Sequence, residues 1–385
     1  MSKSVNKHSS LELMRIVSMF FIIVYHIIQH SEIMGMVNGT NKFVLTLICS
    51  FFVVHVDSFI LLTGYFQSDK DAKLSKVISI FNATWFYKLL CALGIFILVN
   101  YFGFINNVDM TFDRKLISLL PLDRQDNWYI NCYLLIYIFS PFINALINKL
   151  DKKQFQKLIA ISFISFSILG TLVIGDVIPS YLEGRSILTF LLLYFIGAYL
   201  KKYPLEETAI FSKFTDTMKK YLFLIGYIFF AIIALSFMVT SDSIMNYGKI
   251  YQAIGGIFSL LNYSFLSPIV IIASIFYFLF FKNMKFNSKI INYIGGTTFG
   301  IYLLHENIFI RDNLYKWLGI QNYATYGIKL VGMLLLLGLI IFIISMIIEI
   351  IRKGIYKFCY KRKFAAKLRE KIKDFIKSLG LNINY

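Results

Sequence analysis

Charge is scarce in this 385-residue chain: Asp, Glu, Lys and Arg together make up 16% of it, against about 25% in soluble domains. Hydrophobic residues reach 58% and mean hydropathy is +0.68. That combination excludes an ordinary soluble domain. Cysteine is nearly absent. Cys49, Cys91, Cys132 and Cys359 are scattered without metal-type spacing, so no disulfide framework is implied. Proline occurs five times and no Pro-rich or Gly/Ser linker divides the chain. No internal repeat is visible, which argues against repeat architectures.

What is present is a series of apolar runs. A membrane-crossing helix needs about 20 apolar residues. Ten candidates fit: 11–30, 43–66, 77–100, 128–147, 156–177, 187–200, 221–240, 262–281, 290–310 and 328–351. The expected fold is all-α, a polytopic membrane protein of about ten transmembrane helices with both termini cytoplasmic. Residues 1–355 form the membrane domain. Residues 356–385 form a basic tail, in which Phe364, Leu368, Ile372, Phe375 and Leu379 recur at helical spacing with Lys and Arg between them. This pattern suits an amphipathic helix at the membrane surface, or a solvated tail that fixes orientation. The first apolar run contains Arg15 and His26 and lacks a small-residue cleavage site, so it is not expected to be a cleavable signal.

The net charge of +18 raises the question of nucleic acid. Its distribution points elsewhere. With the amino terminus inside, most Lys and Arg fall in 1–10, 67–76, 148–158, 201–220, 282–289 and 352–385, the segments placed in the cytoplasm. This is the positive-inside bias that sets topology. The basic charge therefore reads as orientation plus attraction to anionic membrane lipid, with no nucleic-acid partner.

Ionisable residues inside a span cost about 2.5–3.5 kcal/mol each on insertion scales and mark functional sites by default. Arg15 and His26 lie in one span, LELMRIVSMFFIIVYHIIQH. Eleven residues make close to three turns, so both side chains share a face about 16 Å apart. A guanidinium stays charged and binds phosphate through two bonds. An imidazole titrates near working pH and serves as a general base. The bland alternatives are a snorkelling arginine and a packed histidine. His30, one turn beyond His26, has H-x-x-x-H spacing, but no third ligand is evident and no metal is expected.

Other polar groups near the membrane are Asp57 in the second span, beside His55, and Trp128, Tyr129 and Tyr133 at the start of the fourth. Arg185 precedes the sixth, and the pair His305–Glu306 comes late in the ninth. Asp57 is a candidate to orient an imidazole from the first span. The aromatic residues suit either an interfacial belt or a substrate-lining surface. With the assigned orientation, Arg15 lies at the inner end while Arg185 and His305 lie toward the outside. That division fits an intracellular donor and an extracytoplasmic acceptor.

Five segments in order carry a resemblance: LELMRIVSMFFIIVYH, SFILLTGYF, NWYINCYLLIYIFSPFIN, LLLYFIGAYLKKY and FGIYLLHENIFI. Together they resemble acyltransferase family 3, in the branch that O-acetylates bacterial surface polysaccharides. The match covers nearly the whole chain. It implies a multi-pass protein of the bacterial cell membrane, with acetyl-CoA as cytoplasmic acyl donor and a glycan or polysaccharide hydroxyl as acceptor. Arg15 and His26 take the family's essential positions, with Arg15 also holding CoA. Two departures stand out. Thr63 replaces the family's Ser, and the Arg-rich stretch after the second span reads SDKDAKLSKVISIF, where Lys73 and Lys76 serve as point charges for the CoA phosphates. No appended esterase-type domain is expected, and the membrane domain is expected to perform the transfer or to hand over to a partner. A secondary transporter of a small anion or glycan intermediate would also use intramembrane Arg and His, and a non-catalytic partner of polysaccharide export is a third reading. The Gly/Pro-broken paired helices of many transporters are not evident in the sequence.

Overall fold

The computed structural model describes residues 8–102, 120, 127–172 and 184–360. Every regular element among them is helical. Lipid offers no hydrogen-bond partners, so apolar runs satisfy their backbone internally. In chain order these are α1 (Ser9–His30), α2 (Gly39–Phe52), α3 (His55–Gln67), α4 (Leu74–Phe102), α5 (Trp128–Lys149) and α6 (Lys152–Leu172, with a π-helical stretch over Phe163–Ile168). There follow α7 (Ile187–Lys202), α8 (Asp216–Ile244), α9 (Lys249–Tyr263), α10 (Pro268–Lys282), α11 (Lys289–Gly295), α12 (Thr298–His305), α13 (Ile308–Trp317) and α14 (Ile328–Tyr360).

Among the described residues, eight helical stretches are long and apolar enough to cross a membrane. Gly39–Gln67 joins α2 and α3, and Lys249–Lys282 joins α9 and α10. The other two of the ten expected runs are special cases. One is α7, only 16 residues long. The other, 290–310, is divided among α11, α12 and α13. From residue 361 the amphipathic tail lies outside the described residues, as does most of the 101–127 loop.

α1 runs through the middle of the bundle. It packs against α2, α3, α10, α11, α12, α13 and α14. Its most apolar stretch is 56% buried, against 28% for α8 and α14, which flank the bundle. Arg15 and His26 therefore project from a central helix.

Small residues let neighbouring helices come close. A Cβ on Gly64 of α3 would sit 2.3 Å from the Tyr194 carbonyl oxygen, and one on Gly197 of α7 would sit 2.3 Å from that of Leu61. The two helices thus meet backbone to backbone. This contact fixes short α7, whose residues 192–195 are all buried.

Among the described residues four helix breaks lie within the bundle, one of them between α11 and α12 at Gly296 and Thr297. Between α2 and α3, the freed Phe51 carbonyl accepts a hydrogen bond from Tyr227 Oη at 2.6 Å, and Nδ1 of His55 lies 2.5 Å from the Phe52 carbonyl. Between α9 and α10, Ser267 Oγ accepts from the backbone N–H groups of Ile269 and Val270, with Pro268 next in sequence. Between α12 and α13, Asn307 Oδ1 accepts from the Phe309 N–H at 3.1 Å. Irregular backbone at membrane depth is tolerated where it lines a cavity, and His55, Ser264, Phe265 and Glu306 from these breaks all do so.

Candidate active site

A cavity of about 1090 Å³ occupies the bundle. One face of α1 forms a wall of it: Arg15, Met19, Ile22, His26 and Gln29 recur at three- or four-residue steps. The cavity follows this helix for about 20 Å. Arg15 and His26 thus line one cavity.

At the Arg15 end, Nη1 pairs with Glu12 Oε1 at 2.9 Å and the guanidinium rests 5.7 Å from the Phe66 ring centre. Its side chain stays 31% exposed, so the fork keeps capacity for a ligand. Lys76 of α4 reaches the same cavity, with Nζ 4.5 Å from the Tyr137 ring centre and 5.4 Å from that of Tyr133. Lys73 does not line it; its backbone N–H donates to Tyr137 Oη.

His26 is embedded in a polar chain. His305 Nδ1 lies 2.7 Å from the Ile301 carbonyl, an acceptor only, so Nδ1 carries the proton and Nε2 is left as an acceptor. That nitrogen lies 3.2 Å from His26 Nδ1, which is also 2.8 Å from Glu306 Oε2. With the His305 Nε2 acceptor in front of it and the Glu306 carboxylate close by, His26 Nδ1 is the nitrogen placed to carry a proton. Nε2 of His26 makes no protein hydrogen bond among the described residues. Glu306 is held in turn by Arg311, Nη1 to Oε1 at 3.2 Å. His30 Nε2 lies 3.6 Å from Glu306 Oε2, and its ring stacks on Tyr315.

His26, His30 and Glu306 also form a cluster of potential metal ligands. Tetrahedral zinc with bonds near 2.0 Å holds N and O ligands about 3.3 Å apart. The 2.8 Å ion-pair contact between His26 and Glu306 is shorter than that spacing.

The remaining sequence candidates separate. Trp128, Tyr129, Tyr133, Arg185 and Glu306 line the cavity. His305 is 1% exposed and stands behind His26. Asp57 is fully buried off the cavity and accepts from Ser274 Oγ at 3.3 Å. The carboxylate beside His26 is Glu306, from the far end of the chain. His30 and Arg311 join the site without having been singled out for it. The available signal was a His–Glu pair in an otherwise apolar run, with Arg311 five residues on.

An all-helical membrane bundle with a half-buried histidine–carboxylate pair and a cation at the far end of one cavity fits a membrane transferase or transporter. The model of the acyltransferase domain of acyltransferase family 3 matches residues 8–350. The chain belongs to that family. Neither a curated protein nor a solved structure matches it.

Proposed function

We propose that this membrane acyltransferase moves an acetyl group from cytoplasmic acetyl-CoA to a hydroxyl of an exported or cell-surface polysaccharide, across a bacterial cell membrane spanned ten times with both termini inside. The observation that carries the reading is the single cavity linking Arg15 to the free Nε2 of His26. Arg15 and Lys76 hold the donor's phosphates, and the extended pantetheine arm follows the α1 wall toward His26. The imidazole removes the acceptor hydroxyl proton as the oxygen attacks the thioester carbonyl carbon. Glu306 stabilises the imidazolium that results, much as a buried carboxylate supports histidine in acyl-transfer triads. The C–S bond breaks, and His26 returns the proton to the departing CoA thiolate. Acetyl-CoA and alcohol become ester and free thiol, and the histidine ends as it began.

The helix breaks facing the cavity are also a transporter feature, which gives the runner-up a structural basis. Reconstituted protein incubated with acetyl-CoA and glycan separates the two. An acyltransferase releases free thiol and leaves the glycan 42 Da heavier per acetyl group. Glycan transport without thiol release would contradict the proposal.

A further inference from the structure

Four cations line the cavity among the described residues: Arg15, Lys76, Arg185 and Arg311. Arg15 is countered by Glu12 and Arg311 by Glu306, while Lys76 sits over Tyr133 and Tyr137. Arg185 differs. Its guanidinium lies 5.6 Å from the Trp128 ring centre, and no carboxylate among the described residues pairs with it. A free guanidinium offers a planar fork that matches carboxylate or phosphate oxygens.

The support beneath Arg185 is a cluster of packed rings. Trp128 stacks on Phe265 at 5.9 Å and 16°, and meets Tyr129 and Phe190 edge-on. From Phe265 the ring contacts continue to His55 at 5.6 Å and from His55 to Tyr25 at 5.1 Å. Tyr25 precedes His26 on α1. This chain of rings places Arg185 at the His26 end of the cavity, away from Arg15, which serves the donor. Tyr25, Tyr129, Tyr263 and Tyr302 line the same space. Aromatic faces and one fixed cation are what a charged sugar requires: ring C–H groups pack on the former and the anionic group meets the latter.

We propose that Arg185, held over Trp128, binds a carboxylate or phosphate group of the acceptor, so that the acceptor is an anionic glycan. This rests on the acyl-transfer reading above and specifies its second substrate. The test uses full-length protein in lipid nanodiscs with acetyl-CoA and three probes: methyl glucuronide, glucose 1-phosphate and methyl glucoside. Free thiol and acetylated sugar are followed for each. At least one charged sugar should exceed the neutral one tenfold or more in kcat/KM, and which one does identifies the anion. Arg185→Gln should abolish that preference through a raised KM, and Arg185→Lys should restore part of it. Transfer to all three sugars with no preference, or an equal loss on all three in Arg185→Gln, would overturn the anionic subsite alone. Absence of thiol release with every sugar would overturn the acyl-transfer reading, and this inference with it.

Discussion

His26 has one nitrogen committed and one free, and its neighbours decide which. The Ile301 carbonyl sets the tautomer of His305, and His305 with Glu306 sets that of His26. Replacing His26 by Ala removes the proposed base, and general base catalysis contributes roughly 10²–10⁴-fold. Thiol release by His26→Ala should fall by that amount at unchanged protein level; full activity would end the proposal. Glu306→Gln keeps the shape and removes the countercharge. Charge-assisted hydrogen bonds contribute about 1.5–3 kcal/mol, so kcat should drop roughly 10- to 100-fold with KM for acetyl-CoA little changed. Arg15→Lys retains a cation and loses the fork, which should raise KM for acetyl-CoA and spare kcat in steady-state assays. Arg15 and His26 were legible in the sequence because helical period alone puts them on one face. Glu306 was visible as an intramembrane carboxylate, yet its partner was not, since nothing local connects residues 26 and 306. Asp57 attracted attention for the same chemical reason as Glu306. Its actual partner, Ser274, belongs to a helix that no local pattern links to it.

Helices in this bundle are set by where they can approach and where they break. α3 and α7 meet through Gly64 and Gly197, each facing a carbonyl oxygen that a Cβ would reach at 2.3 Å. Overpacking of this kind costs about 1–3 kcal/mol. Gly197→Ala should therefore lower the melting temperature of detergent-solubilised protein, while Gly94→Ala, where a Cβ meets nothing within 4 Å, should leave it near wild type. Equal melting temperatures would show that the α3–α7 contact carries no weight. Hydropathy exposed the long apolar runs readily because each must match the bilayer thickness. It was less informative for α7, whose 16 residues are secured by neighbours, and for 290–310, which bends around the cavity. The break after Phe52 had no proline or glycine to announce it. A tertiary hydrogen bond from Tyr227 and a local one from the His55 side chain take up the carbonyls there.

At the scale of the whole molecule, the proposed orientation turns the Arg15 end toward the cytoplasm and the Arg185 end outward. In a cysteine-free background, Lys249→Cys should react with an impermeant maleimide in intact cells, and Lys285→Cys only after permeabilisation. The reverse pattern would invert the orientation and detach the donor site from its supply. The central proposal is that one cavity holds the donor's phosphates at Arg15 and its thioester at His26. It is tested most directly by the structure of the protein bound to a non-transferable thioether analogue of acetyl-CoA. The account predicts the analogue's phosphates against Arg15 and Lys76, its arm along Met19 and Ile22, and its carbonyl carbon near His26, with room for an acceptor oxygen about 3–3.5 Å from it. An analogue bound outside the cavity, or with its acyl end turned away from His26, would contradict it.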